Sequence, residues 1–220
     1  MRWSPANLGF GPGVHELLAQ SPPMAVCVGL AAWDQRQPGD GPLGLAVWIG
    51  RRCWPYPPAI AHDPTNLLGR SVFVDPPTRE DRLWAIDQTL RSPAVATVVA
   101  DGRGLTMAAS RRLQLACEAG GAMGLLSRPL HERGELSAAT TRWLVRPEPV
   151  HEPESCEPAW TIELLRRKGL RPMVEGARRW TVRVEDATRL VCLDAQAADR
   201  PAAAAREAAA QIEPVARRWG

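Results

Sequence analysis

The chain has 220 residues, 45% hydrophobic and 23% charged, which is enough for one soluble domain with a sizeable core and excludes disordered and fibrous classes. Pro22, Pro23 and Asp34 interrupt the longest apolar stretch, Met24 to Trp33, so no run reaches the roughly 18 residues of a membrane-spanning helix. The net charge is only +3, and Lys168 is the one lysine among 27 basic residues, the rest being arginine; such a balance identifies no partner by itself. The opening Met1-Arg2-Trp3-Ser4-Pro5 lacks the apolar segment of a signal peptide, and the expected location is cytoplasmic, with no membrane association.

From Gly13 to about Ala100, short apolar runs alternate with helical patterns, as in a mainly parallel sheet packed between helices. Val14 to Leu18 reads as a strand, and Met24 to Trp33 as a helix or a strand. Asp34 to Pro42 is a loop. The continuous apolar run Leu43 to Ile49 predicts a strand buried on both faces, with Ser71 to Val74 as its neighbour. Thr78 is placed to cap a helix whose first turn carries Glu80 and Asp81 and whose core face carries Leu83, Ile86 and Leu90. Ala94 to Ala100 is the clearest strand. It runs into Asp101 at the carboxyl edge of the presumed sheet, where α/β proteins bind ligands. A helix over Ala108 to Ala119 stops at Gly120-Gly121, and Ala122 to Ser127 forms the next strand.

Beyond Pro129 the pattern changes. Thr140 to Arg146, Ala159 to Leu165 and the alternating Trp180 to Val184 read as two or three hairpin strands added at the sheet edge, with a Pro/Glu-rich excursion between the first two. The predicted division is a core over 1–194 and an Ala/Arg-rich helix or tail over 195–220.

The five cysteines form no Cys-x-x-Cys pair, and the four histidines show no i, i+4 spacing, so no metal and no other cofactor is expected. A phosphate-binding loop needs a Gly-Lys-Ser/Thr ending, because backbone amides and a lysine cradle the phosphates. Lys168 is preceded by Arg167, and the loop after the first strand carries Pro22 and Pro23, which lack amide donors. Asp101 has the place of a Walker-B carboxylate, yet without phosphate-bound magnesium it reads as a turn-capping residue. No local context supports a catalytic constellation, and none is assigned. Two basic clusters, Arg166, Arg167, Lys168 with Arg171, and Arg178, Arg179 beside Trp180, are the nucleic-acid candidates. In the terminal segment, Ile212, Val215, Arg217, Arg218 and Trp219 are the candidate partner anchors.

The order of elements resembles a RecA-like core, and within it the ImuA branch of inducible-mutagenesis accessory proteins, grouped with SulA-like cell-division inhibitors. Gly11 to Leu17, Ala46 to Ile49, Trp54 to Ala59, Leu83 to Ser92, Ser110 to Ala116 with Gly120 to Gly124, and Trp160 to Arg167 carry the resemblance over about residues 5–194. Ile49-Gly50-Arg51-Arg52-Cys53 stands where RecA proper carries its water-activating glutamate, and it holds no carboxylate. The resemblance thus implies a retired ATPase of the SOS response to DNA damage. It also implies partners: an ImuB-like relative of the Y-family polymerases, with RecA and single-stranded DNA as further contacts, in error-prone translesion synthesis. Three alternatives stay open: a SulA-like inhibitor that binds FtsZ, an active RecA-like ATPase, and a nucleic-acid binder.

Overall fold

A computed structural model of the protein describes residues 5–35, 43–148, 158–169 and 178–197. In chain order these form α1 (Pro5–Leu8), β1 (Gly13–Ala19), α2 (Met24–Gln35), β2 (Leu45–Ile49), α3 (Pro57–Ile60), β3 (Ser71–Val74), α4 (Arg79–Arg91), β4 (Val95–Asp101), α5 (Met107–Gly120) and β5 (Met123–Pro129). Then follow β6 (Thr141–Pro147), β7 (Ala159–Arg167), β8 (Arg178–Glu185) and β9 (Arg189–Ala197). The strands make one sheet in the order β3-β2-β4-β5-β1-β6-β7-β8-β9. Pairing is parallel from β3 through β6 and antiparallel from β6 through β9. The architecture is therefore α/β, a mainly parallel sheet with antiparallel edge strands, consistent with a RecA-like core.

Each face of the sheet has its own core. On one, α2 supplies Val26, Cys27, Leu30 and Ala31 against Leu17, Trp48, Val99, Leu125 and Trp143. Met24–Gln35 is a helix buried throughout residues 26–32, packed on β4 and on β8 and β9 of the same sheet, which resolves the helix-or-strand ambiguity of its sequence. On the other, Ile86 and Leu90 of α4 and Leu113 and Cys117 of α5 cover Val14, Val47, Val98 and Leu126. Thr78 caps α4 as expected, its Oγ1 accepting from Asp81 N at 3.1 Å, and the structure adds a second cap at α5, where Thr106 Oγ1 accepts from Ala109 N at 3.2 Å. Gly121 ends α5 at φ 79°, a conformation that glycine adopts without the Cβ penalty.

The structure adds detail at three places. β6 pairs antiparallel with β7 as the added edge strands require, and it also joins β1 in parallel, His15 opposite Thr141, so that these strands continue the central sheet. Leu43 and Gly44 lie outside β2, which begins at Leu45. The expected core boundary at 194 falls inside β9, a strand that the sequence reading did not anticipate; β9 runs to Ala197, held by eight register pairs to β8. Its turn stands on Asp186 and Ala187, both at positive φ, without the glycine that announces such turns. The terminal segment assigned as helix or tail lies outside the described residues.

Candidate functional site

The parallel strands β1, β4 and β5 end together at one edge, where ligands of open α/β sheets bind. Here that edge is closed. Ala19 to Pro22, Arg52, Asp101, Arg103 and Ser127 to Pro129 leave a cavity of about 10 Å³, the room of a single water molecule. Met24 N, the first amide of α2, donates to Pro22 O at 2.8 Å. Asp101 is buried and internally neutralised: its Oδ2 lies 2.7 Å from Arg103 Nη2 and 3.7 Å from Arg82 Nη1, and its Oδ1 accepts from Arg103 N at 3.2 Å. The Asp101 carboxylate holds its own turn. The same contact raises the Arg103 guanidinium above its usual value, chiefly through the Asp101 hydrogen bond.

Beneath this edge lies a buried ionic network with no local sequence signature. Glu16 of β1 is fully buried; it accepts from Arg128 Nη1 of β5 at 3.0 Å, from Arg142 Nε of β6 at 2.8 Å and from Ser137 Oγ at 2.7 Å. Arg128, itself 1% exposed, also donates to Glu132 Oε2 at 2.7 Å and to Leu105 O at 3.2 Å. Arg142 continues into the carbonyls of Glu132, Arg133 and Glu135. Three strands and the 130–139 connection are thereby locked in register. An alternation pattern assigns such residues to a face but leaves their partners, more than 100 positions away, unspecified.

Beside Glu16, His15 is also fully buried. Trp143 Nε1 donates to Thr141 Oγ1 at 2.6 Å, Thr141 Oγ1 pairs with His15 Nδ1 at 2.8 Å, and His15 Nε2 pairs with Gly11 O at 2.8 Å. An indole only donates and a carbonyl only accepts, so the chain has one consistent direction: Thr141 donates to Nδ1, and the neutral ring donates from Nε2. Burial lowers the His15 pKa to about 4; the Gly11 hydrogen bond opposes this and the Arg167 charge reinforces it. This histidine serves packing. Among the described residues no group of three or more His, Cys, Asp or Glu side chains is placed to hold a metal ion, and Cys27, Cys53 and Cys117 are buried with raised thiol pKa values.

The two basic clusters converge on the same end of the antiparallel strands, because Arg142 pairs with Arg166 and Glu163 with Arg179 across β6, β7 and β8. Much of their charge is engaged there. Arg166 Nη2 donates to Ala139 O at 2.7 Å, and burial, with the nearby Arg142 charge, lowers its pKa. Lys168 Nζ lies 3.6 Å from Glu118 Oε1, and Arg179 Nη2 lies 3.6 Å from Glu163 Oε2. Arg167 packs its guanidinium over Gly9, where a Cβ would approach Cζ to 2.9 Å. Arg178 opens β8 opposite Ala197. Arg171 lies outside the described residues, as do Ile212, Val215, Arg217, Arg218 and Trp219.

Next to the closed edge, the first turns of α4 and α5 border an open groove of about 190 Å³. Sequence reading passed over it, because its walls come from two helices and a loop whose juxtaposition is tertiary. No helix among the described residues is long and apolar enough to cross a membrane.

No protein-family model matches the chain. It is 31% identical over 148 residues to Protein ImuA of Caulobacter vibrioides, in strain NA1000 / CB15N and equally in strain ATCC 19089 / CIP 103742 / CB 15, the match covering 59% of this chain. The chain spans 58% of the length of these curated relatives. Over that matched stretch the chain is similar to Protein ImuA, the same branch that the motifs distributed along its sequence resemble.

Proposed function

We propose that the chain is a non-catalytic accessory subunit of DNA-damage-induced translesion synthesis, docking an ImuB-like relative of the Y-family polymerases and contacting RecA. The observation that carries the reading is the closed carboxyl edge on an ImuA-related α/β core. Among the described residues, the 10 Å³ cavity, the proline-bearing loop after β1 and the ion-paired Asp101 support a reading in which this edge holds no nucleoside triphosphate. A core that does no phosphate chemistry acts through surface. Buried side chains such as Glu16, Arg128 and His15 tie the strands beneath that surface together, and pre-organised scaffolds present docking faces at low entropic cost.

The test is co-purification of the tagged full chain with its host's ImuB-like protein and, separately, with RecA, using also a chain ending at Arg200. Capture of the ImuB-like protein by the full chain is the expected result, with weaker capture by the shortened one. Failure of the full chain to capture either protein, with folding verified by circular dichroism, overturns the assignment. Calorimetric titration with ATP and magnesium completes the test; saturable binding would return the chain to the ATPase class.

A further inference from the structure

We infer that the groove between the amino ends of α4 and α5 is a docking site for an acidic peptide segment of a partner protein, anchored by one large apolar side chain. The inference rests on the partner-docking reading above and specifies one site and its ligand chemistry. Leu83, Ile86, Leu105 and Ala109 form the floor, so a side chain entering it leaves water for apolar surface. At about 190 Å³, the groove falls below the roughly 300 Å³ at which ordinary small-molecule pockets begin. It suits one side chain better than a nucleotide.

The rim determines what must flank that anchor. Arg79, Arg82 and Arg103 line it together with Glu80 and Asp101. Asp101 is committed to Arg82 and Arg103 from below, while Arg79 donates to the Gly104 carbonyl and meets no carboxylate among the described residues. Arg79 and Arg103 are exposed at the mouth. The capped first turns of α4 and α5 open on the same rim and add the positive ends of two helix dipoles. An apolar floor under a net positive mouth selects an apolar residue flanked by carboxylates, and it disfavours a basic segment. The walls are also pre-formed: Asp87 of α4 bonds Arg112 of α5 at 3.1 Å through both oxygens, which holds the helices together without a ligand.

The decisive experiment measures fluorescence anisotropy of a labelled ten-residue glutamate-rich peptide with one central phenylalanine, titrated with the full chain. Two control peptides replace the phenylalanine by alanine or the glutamates by lysine. Expected are saturable binding, at least tenfold weaker for either control, a tenfold loss in Ala109→Met, which fills the floor, and a several-fold loss in Arg79→Glu. Equal binding of the phenylalanine and alanine peptides, or no binding, overturns the proposal. Should Ala109→Met melt early, amide chemical shifts of the unsubstituted chain decide: perturbations centred on residues 79–86 and 103–109 support the site, and perturbations elsewhere overturn it. Capture of the ImuB-like protein undiminished in Arg79→Glu and Ala109→Met would refute the groove while leaving the accessory-subunit reading standing; loss of capture by the unsubstituted chain defeats that reading instead.

Discussion

Acidification should destabilise this fold in a window set by one residue. His15 is buried and neutral, its pKa lowered from 6.5 to about 4 mainly by desolvation. Its two ring nitrogens are already committed, one accepting from Thr141 and one donating to Gly11 O. Because the folded pKa lies below the unfolded one, the unfolded chain binds the proton first. Stability is therefore full above pH 6.5 and falls as the pH drops toward 4. A difference of about 2.5 pKa units at ~1.36 kcal/mol each gives about 3 kcal/mol over the whole window, of which about 2 kcal/mol is gone at pH 5. Urea unfolding at intervals between pH 7.5 and 4.5, followed by tryptophan fluorescence, measures it, with His15→Gln as the non-titrating reference. The variant should be less stable at neutral pH and show a much flatter profile across the window. The depressed carboxylates Asp87, Glu118 and Glu185 lose their contribution only at lower pH, as they protonate. Parallel slopes for the two proteins between pH 6.5 and 4.5 would refute the reasoning, since the proton would then be entering elsewhere.

Three further perturbations test the scaffold. Glu16→Gln leaves Arg128 and Arg142 buried with their shared carboxylate gone, and should cost about 3–5 kcal/mol in chemical denaturation; a change below about 1 kcal/mol would show the network to be dispensable. Trp143→Ala removes a fully buried ring that stacks on Phe10 at 4.8 Å and abuts Trp180 at 5.8 Å, and should lower stability by about 3–5 kcal/mol. Gly120→Ala improves helix propensity by about 1 kcal/mol on an exposed helix. Here the new Cβ would overlap the Leu90 carbonyl oxygen and the Arg91 backbone at the close crossing of α4 and α5. A net loss of about 1–3 kcal/mol by thermal melting is expected, and a gain would contradict the crossing.

Local chemistry was legible wherever a residue acts on its own neighbours. Thr78 caps a helix because its hydroxyl reaches the amide three positions on; Gly121 ends one because its φ is positive. Strands β1 to β5 were readable from apolar runs, since a parallel sheet covered on both faces demands them. The absence of a Gly-Lys pair and the presence of Pro22 and Pro23 are statements about sequence alone, and they already argue against a phosphate loop.

Pairing across the chain was decided elsewhere. Nothing adjacent to Thr141 reveals that it joins β1 in parallel, because its partner His15 stands 126 positions away. Arg128, Arg142 and Glu16 look like ordinary surface charges until the sheet buries them together, and burial is what turns them into a mutually dependent network. The α4–α5 groove is likewise the product of two helices meeting at an angle set by packing. Sequence determines what each segment tends to be, through propensity, capping and periodicity; only tertiary structure determines which segments exclude water together, because that term depends on surfaces that share no sequence neighbourhood.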